Sequence, residues 1–338
     1  MIGYYIHHHG RGHLHRAITI AAATDTMVVG MSSLPRPPEW TGPWMVLPRD
    51  DVGPTPVDAS ANNRLHWVPE LDSGLTARMA DISSWIADIE PTLMIVDVSV
   101  EVSLLARLHG IPVVTMVLPG QRGDSAHELV HSVARRIIAV WPDDLPCMVS
   151  GLGAHAERLA CVGGLSRFDA RRPAPPPPRA PGEDRRALVL MGVGDAQDEA
   201  WDISAAQAQS PGWTWQFMGP GTAWVDDPWE AMCAADVIIT HAGQNAVAEV
   251  AAARRPAIVV PQPRPFREQE TMAATLATDG RFPVVVRATL PTTGWGELLD
   301  ETARLDGSQW AGWNDGQGAE RVARILEEEL ARVSMSRP

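Results

Sequence analysis

The sequence contains no lysine; its 28 fixed side-chain cations are all arginine. That excludes Schiff-base chemistry and a Walker-type phosphate loop, both of which need the ammonium group. Acidic residues outnumber the arginines 41 to 28, and a formal net charge of -13 speaks against a nucleic-acid partner held through its phosphates. Cysteine is nearly absent. Cys147, Cys161 and Cys233 lie far apart, make neither a disulfide framework nor a zinc pattern, and point to a reducing cytoplasm. No apolar run approaches ~18 residues and no charged-then-apolar leader opens the chain, so neither a membrane span nor a signal peptide is expected. A peripheral membrane contact stays open.

What is present is a two-part alternation. The 338 residues suffice for two domains, and 45% of them are hydrophobic, so each half can bury a core. A proline-rich stretch, residues 169–186, lacks the amide donors a sheet needs and reads as a linker. It separates a first domain, 1–168, from a second, 187–315, with a final helix at 316–334. In the first half IGYYIH, MVVG, WMVL, LMIVDV, IPVVTMV and RIIAV read as strands. Leu75, Met79, Ile82, Ile86 and Ile89 recur at helical spacing, and a helix is expected between Asp97 and Gly110. In the second half ALVLMGVG, TWQFMG, DVIITHAG, PAIVVP and PVVV alternate with helical patterns. Continuous apolar strands separated by helices predict an α/β chain with two Rossmann-like parallel sheets. The last helix carries one dry stripe, Val322, Ile325, Leu326 and Leu330, which must pack on something.

In such sheets ligands sit beyond the carboxyl ends of the strands. The segment HHHGRGHLHR leaves the first strand through Gly10 and Gly12, and a helix starts near His13. Glycines permit a tight turn and close approach, and a helix start offers free amides, so His13 is aimed at the sheet mouth. The last glycine of a dinucleotide fingerprint is missing, and no acidic residue closes the next strand. A metal site is not expected here: His13 and His15 point apart on a helix, and no Asp, Glu or Cys completes a ligand set nearby. His7, His8, His9 and His15 read as solvent-facing or structural. Asp97, at the end of another strand, reads equally well as a helix cap or as a site residue.

GRGHLHRA resembles the opening of GT-B glycosyltransferases, above all family 28, the type of the bacterial peptidoglycan-precursor GlcNAc transferase. The resemblance is strong from about Ala234 to Ala277, in AADVIITHAGQNAVAEVAAARRPAIVVPQPRPFREQETMAATL. Two departures stand out: Gln244-Asn245 replaces the usual glycine or serine pair after HxG, and Glu268-Gln269 replaces Asp-Gln.

This resemblance implies a GT-B fold with its two domains facing across a cleft and the final helix returning to the first domain. It implies a cytoplasmic or membrane-peripheral, inverting hexosyltransferase that takes a nucleotide diphosphate-sugar, UDP first, as donor, with His13 as catalytic base and Asp97 beside it or at the acceptor. His241, Gly243, Gln244 and Asn245 would hold the diphosphate, Glu249 the ribose, and Glu268 and Gln269 the sugar. Gly192 and Gly194 form a second glycine turn for the phosphates. No cofactor and no metal are implied, and the Asp-x-Asp metal motif of the GT-A class is absent. Trp40, Trp44 and Trp67, among thirteen tryptophans, lie in proline-broken stretches where an acceptor would stack, with plain packing as the alternative. The acceptor, whether small molecule, glycan or lipid-linked, is not encoded in any motif. A nucleotide-sugar hydrolase with His13 activating water remains a rival, as do a 2-epimerase and a sugar-binding relative without turnover.

Overall fold

The structure, a computed structural model, describes residues 1–53, 55–175, 180–191, 203–219 and 225–336. The chain forms two compact units. The first comprises Met1–Ala139, Val149–Val162 and Ala319–Pro338; the second comprises Val140–Met148 and Gly163–Gly318.

The first unit begins β1 (Ile2–Ile6), α1 (Gly12–Ala22), β2 (Val28–Ser32), β3 (Trp44–Val46) and α2 (Ser73–Ile89). It continues with β4 (Leu93–Asp97), α3 (Val100–Leu108), β5 (Val113–Val117), β6 (Gly120–Gln121), α4 (Ser125–Val133), β7 (Arg136–Ala139), β8 (Val149–Ser150) and β9 (Leu159–Cys161). Seven strands make one sheet in the order β3-β2-β1-β4-β5-β7-β9, every pairing parallel. All residues of β1, β4 and β5 are buried, as strands covered on both faces must be. The chain runs outward from β1 to β3 and then restarts on the other side at β4. The switch point therefore lies between β1 and β4, where Ile6 pairs with Asp97.

Helix α2 starts at a cap: the Asp72 carboxylate accepts from the Leu75 amide at 2.7 Å. Its Ile82 and Ile86 enter the core, as the spacing predicts, but Ile89 is exposed. Arg78 on the same helix is buried instead. It donates to the Tyr5 hydroxyl at 2.7 Å and to the Pro48 carbonyl, with Asp50 at 3.1 Å, so its charge is both paired and hydrogen-bonded.

The second unit holds β10 (Arg185–Leu190), α5 (Ile203–Ala208), β11 (Trp213–Met218), α6 (Trp229–Ala234), β12 (Val237–Thr240), α7 (Gln244–Ala253) and β13 (Ala257–Val259). Then come α8 (Glu268–Asp279), β14 (Val284–Val286) and α9 (Trp295–Thr302). Its sheet has the order β11-β10-β12-β13-β14, again parallel throughout, with the switch between β10 and β12. Residues 140–148 and 163–168, read from sequence with the first domain, group with the second unit, as does the start of the expected linker. The Asn314 amide donates to Asp169 at 2.7 Å, and Arg171 pairs with Asp227 at 2.7 Å.

Helix α10 (Gly318–Ser336) closes the chain, and its residues from Ala319 belong to the first unit. Val322 and Leu326 are fully buried there, and Arg321 donates to the Val162 carbonyl at 2.9 Å. Glu329, 2% exposed, interrupts the dry stripe and gathers Arg136 at 3.0 Å, Arg135 at 3.7 Å and Arg332. Alanine at 329 leaves those donors without their buried acceptor. The variant is expected to lose about 1–3 kcal/mol, seen as a lower urea midpoint with the slope unchanged.

Candidate active site

His13 sits in the first turn of α1, immediately after the glycine turn. Gly10 takes φ +75°, a left-handed conformation that the tight exit from β1 needs and that glycine adopts without strain; Gly12 is the first helical residue. No side chain caps this helix end. From there the His13 Nδ1 reaches Asp97 Oδ1 at 3.0 Å. Asp97 is wholly buried at the last position of β4, one strand over from β1. Arg16, one turn further along α1 and also buried, donates to Asp97 from Nε at 3.0 Å and from Nη2 at 2.6 Å. Burial pushes the Asp97 carboxyl upward, but Arg16 and His13 outweigh it and hold the group well below the usual carboxylate range.

Asp97 is thus ionised and spent on His13 and Arg16. The cap of α3 falls to Ser99, whose hydroxyl accepts from the Val102 amide at 3.2 Å. Between them Val98 takes φ +61°, a costly conformation for a β-branched residue, held by the structure around the dyad. The neutral imidazole has one N–H. In the tautomer whose Nδ1–H Asp97 accepts, Nε2 keeps the lone pair and is the basic atom; Arg16 Nη2 also stands 3.0 Å from Nδ1.

Three more histidines precede His13 and cluster together. His7 stacks on His8 with ring centroids 5.2 Å apart, and its ring lies 5.7 Å from that of His13. Burial and the neighbouring imidazoles push His7 down to about 3. His8 is buried rather than solvent-facing, whereas His9 is exposed. Beside them opens a cavity of about 190 Å³ lined by His7, His8, His9, Asp50, Asp51 and Trp67, among others. Trp67 therefore does reach a cavity, its Nε1 donating to the Asp50 carbonyl. Trp40 and Trp44 are engaged in packing. They pack edge to face at 5.2 Å and donate to the carbonyls of Pro43 and Leu34, as packing residues do.

In the second unit, β12 leads through His241, Ala242 and Gly243 into α7. Gly243 is the N-cap and makes no side-chain cap bond; its amide donates to His241 Nδ1 at 2.9 Å. A Cβ on Gly243 would meet the His241 ring at 2.5 Å, so only glycine closes this turn. Burial, then Arg264, push His241 down to about 4, so its ring is neutral near pH 7 and able to accept that bond. The helix thereby points its positive dipole end out of the switch point of the second sheet, the arrangement that suits an anion.

Gln244 is buried and Asn245 half-buried in the first turn. Gln269 is 3% exposed, and its Oε1 accepts from the amides of Ala242 and Gln262 at 3.1 and 2.9 Å. That carbonyl braces the turn rather than facing outward. Glu268 opens α8 after two left-handed residues, Phe266 and Arg267. Glu249, one face down α7, is held by Arg167 at 2.9 Å; burial raises its carboxyl and Arg167 opposes the rise. The sequence offered no sign of Arg167, Arg16 or Arg78, because each is defined by a partner distant along the chain. Gly192 and Gly194 lie outside the described residues.

Residues 204–302 match the Glycosyltransferase family 28 C-terminal domain. No curated protein sequence matches the chain. Among solved structures, the glycotransferase of kitacinnamycin superposes with a TM-score of 0.69 at 17% identity, over 97% of this chain and 98% of that one. MurG of Acinetobacter baumannii gives 0.62 at 16% identity, over 97% and 99%. UGT89C1 of Arabidopsis thaliana, complexed with UDP, gives 0.62 at 12% identity, over 98% and 99%. Similarity at this identity speaks for the fold. Among the described residues, no helix is long and apolar enough to cross a membrane. The chain has the GT-B fold, and its residues 204–302 match the family 28 C-terminal domain.

Proposed function

We propose that the chain is an inverting glycosyltransferase that moves a sugar from a nucleoside diphosphate, UDP first, to an acceptor hydroxyl, with no metal ion at the diphosphate. The observation that carries this reading is the hydrogen bond from His13 to a buried, ionised Asp97 at the mouth of the first sheet. As the acceptor oxygen bonds to the anomeric carbon, its proton passes to His13 Nε2. The bond from that carbon to the diphosphate oxygen breaks through an oxocarbenium-like state, and its electron pair leaves with the diphosphate. Asp97 stabilises the imidazolium that forms, and Arg16 keeps Asp97 ionised and oriented. The N-terminus of α7 stabilises the charge that builds on the diphosphate.

In this reading Glu249 accepts the ribose hydroxyls, with Arg167 fixing its carboxylate from the Oε1 side. Glu249→Ala is expected to weaken UDP binding by about 1.5–3 kcal/mol. It should narrow the difference between UDP and 2′-deoxy-UDP in calorimetric titration; equal affinities for wild type and variant would remove Glu249 from the site. A thymidine diphosphate-sugar is the second donor to test, since a spinosyn rhamnosyltransferase of this fold is complexed with thymidine diphosphate. The reading as a whole is tested by supplying UDP-, dTDP- and GDP-sugars with an acceptor panel and following the anomeric configuration by NMR. Inverted glycoside supports it. Release of free sugar alone, whatever the acceptor, would make the chain a hydrolase.

A further inference from the structure

The three consecutive histidines at the end of β1 are not absorbed by the transfer step, and two of them converge on one atom. His8 Nε2 lies 3.2 Å and His9 Nε2 2.9 Å from the same oxygen, Asp51 Oδ2. Asp50 Oδ1 stands 3.8 Å from His8 Nε2, and the whole group lines the cavity of about 190 Å³. We propose that His8, His9 and Asp51, with Asp50 at the margin, form a site for a divalent transition-metal ion of the zinc type.

The geometry suits such an ion. Ligand atoms around a tetrahedral zinc with bonds of ~2.0–2.1 Å stand roughly 3.3 Å apart, so separations of 2.9 and 3.2 Å need a spread of only a few tenths of an ångström. The three ligand atoms all lie within 4.8 Å of one another. Imidazole nitrogen with one or two carboxylate oxygens selects zinc-like ions over magnesium or calcium, which prefer oxygen alone. Arg49 supplies the outer layer. Its Nε donates to Asp51 Oδ1 at 2.8 Å, which orients the carboxylate; its Nη2, 2.6 Å from Oδ2 on a half-exposed side chain, must swing away when an ion takes that oxygen. The cavity leaves room for a water as the remaining ligand.

A second cluster, His66, Asp124 and His127, also meets the distance requirement but is less suited. Asp124 Oδ1 is already accepting from the amides of Ala126 and His127 at the positive end of α4. The positive end of that helix opposes a cation there. It serves as the control. An ion at His8, His9 and Asp51 would also fix the His8 ring that stacks on His7, whose ring lies tilted beside that of His13.

The test reads ion binding and is independent of the transferase reading. The full-length chain is stripped with a chelator and titrated with zinc chloride alone, followed by equilibrium dialysis with metal analysis and by thermal shift. The expected result is one ion per chain with a raised Tm. Asp51→Asn and His9→Gln should each weaken binding at least ~10-fold, and His66→Ala should change nothing. His9 is mostly exposed, so its variant keeps the fold even if the Asp51 variant does not. Sub-stoichiometric zinc in the wild type, binding unchanged in His9→Gln, or loss in His66→Ala would each overturn the assignment.

Discussion

Replacing His13 by alanine is expected to lower sugar transfer by at least ~100-fold while leaving nucleotide affinity at its wild-type value, because a positioned general base contributes about that much. The separation of the two effects follows from the chain's organisation. His13 belongs to the first unit, at the exit of β1, whereas the α7 N-terminus proposed to hold the diphosphate belongs to the second. The side chain is 17% exposed, so its loss opens little of the core and the fold should persist. Single-turnover rates and calorimetric titration of UDP on the same preparation make the check. Turnover like the wild type would move the base elsewhere; a parallel loss of UDP affinity would mean that His13 acts through the donor.

Asp97→Asn should cost both activity and stability. The amide keeps the shape but no longer specifies which nitrogen of His13 carries the proton, and it offers the forming imidazolium no counter-charge. A loss of the order of 10²–10⁴ in rate is expected by comparison with other carboxylate–histidine pairs. Arg16, 2% exposed, loses its counter-ion at the same time. Breaking a buried pair from one side typically costs about 3–5 kcal/mol. The pH dependence adds a sign. The Asp97 carboxyl is depressed in the folded chain, so its contribution is present above its unfolded value of about 4 and is lost as pH falls toward the folded value. Wild type should therefore lose stability on acidification below about pH 4, and the Asn variant should lack that part of the slope. Denaturant midpoints across pH 2–7 decide it. A variant as stable as wild type would mean that Arg16 finds another partner.

Much of the architecture follows from local pattern. Continuous apolar runs such as LMIVD and VVTMV become strands buried along their whole length, and helical spacing recovers α2, α7 and α10. Local pattern failed where burial served polarity. Arg78 and Glu329 sit inside on faces where the spacing asked for apolar residues, and Ile89 sits outside. α4 and α9, short and mixed in composition, were not anticipated.

The site divides along the same line. His13 was legible because strand, glycine turn and helix start are consecutive in the chain, and each has a local cause. Asp97 was visible as a strand-end carboxylate but ambiguous, since capping and catalysis ask for the same group at the same place. The structure gives the cap to Ser99 and, by pairing Ile6 with Asp97, places the carboxylate beside the exit of β1. The absence of an acidic residue near HHHGRGH was a correct reading of the neighbourhood in sequence, yet Asp50 and Asp51 come from more than 40 residues away to meet His8 and His9. The sequence by itself determined the two parallel sheets and the glycine turns at their strand ends, because those depend on periods of a few residues. Which charges meet, His13 with Asp97 and Arg16, Glu249 with Arg167, His8 and His9 with Asp51, was decided only by the tertiary structure. Strand order and register bring together groups separated by up to 84 residues, and no local period carries that information.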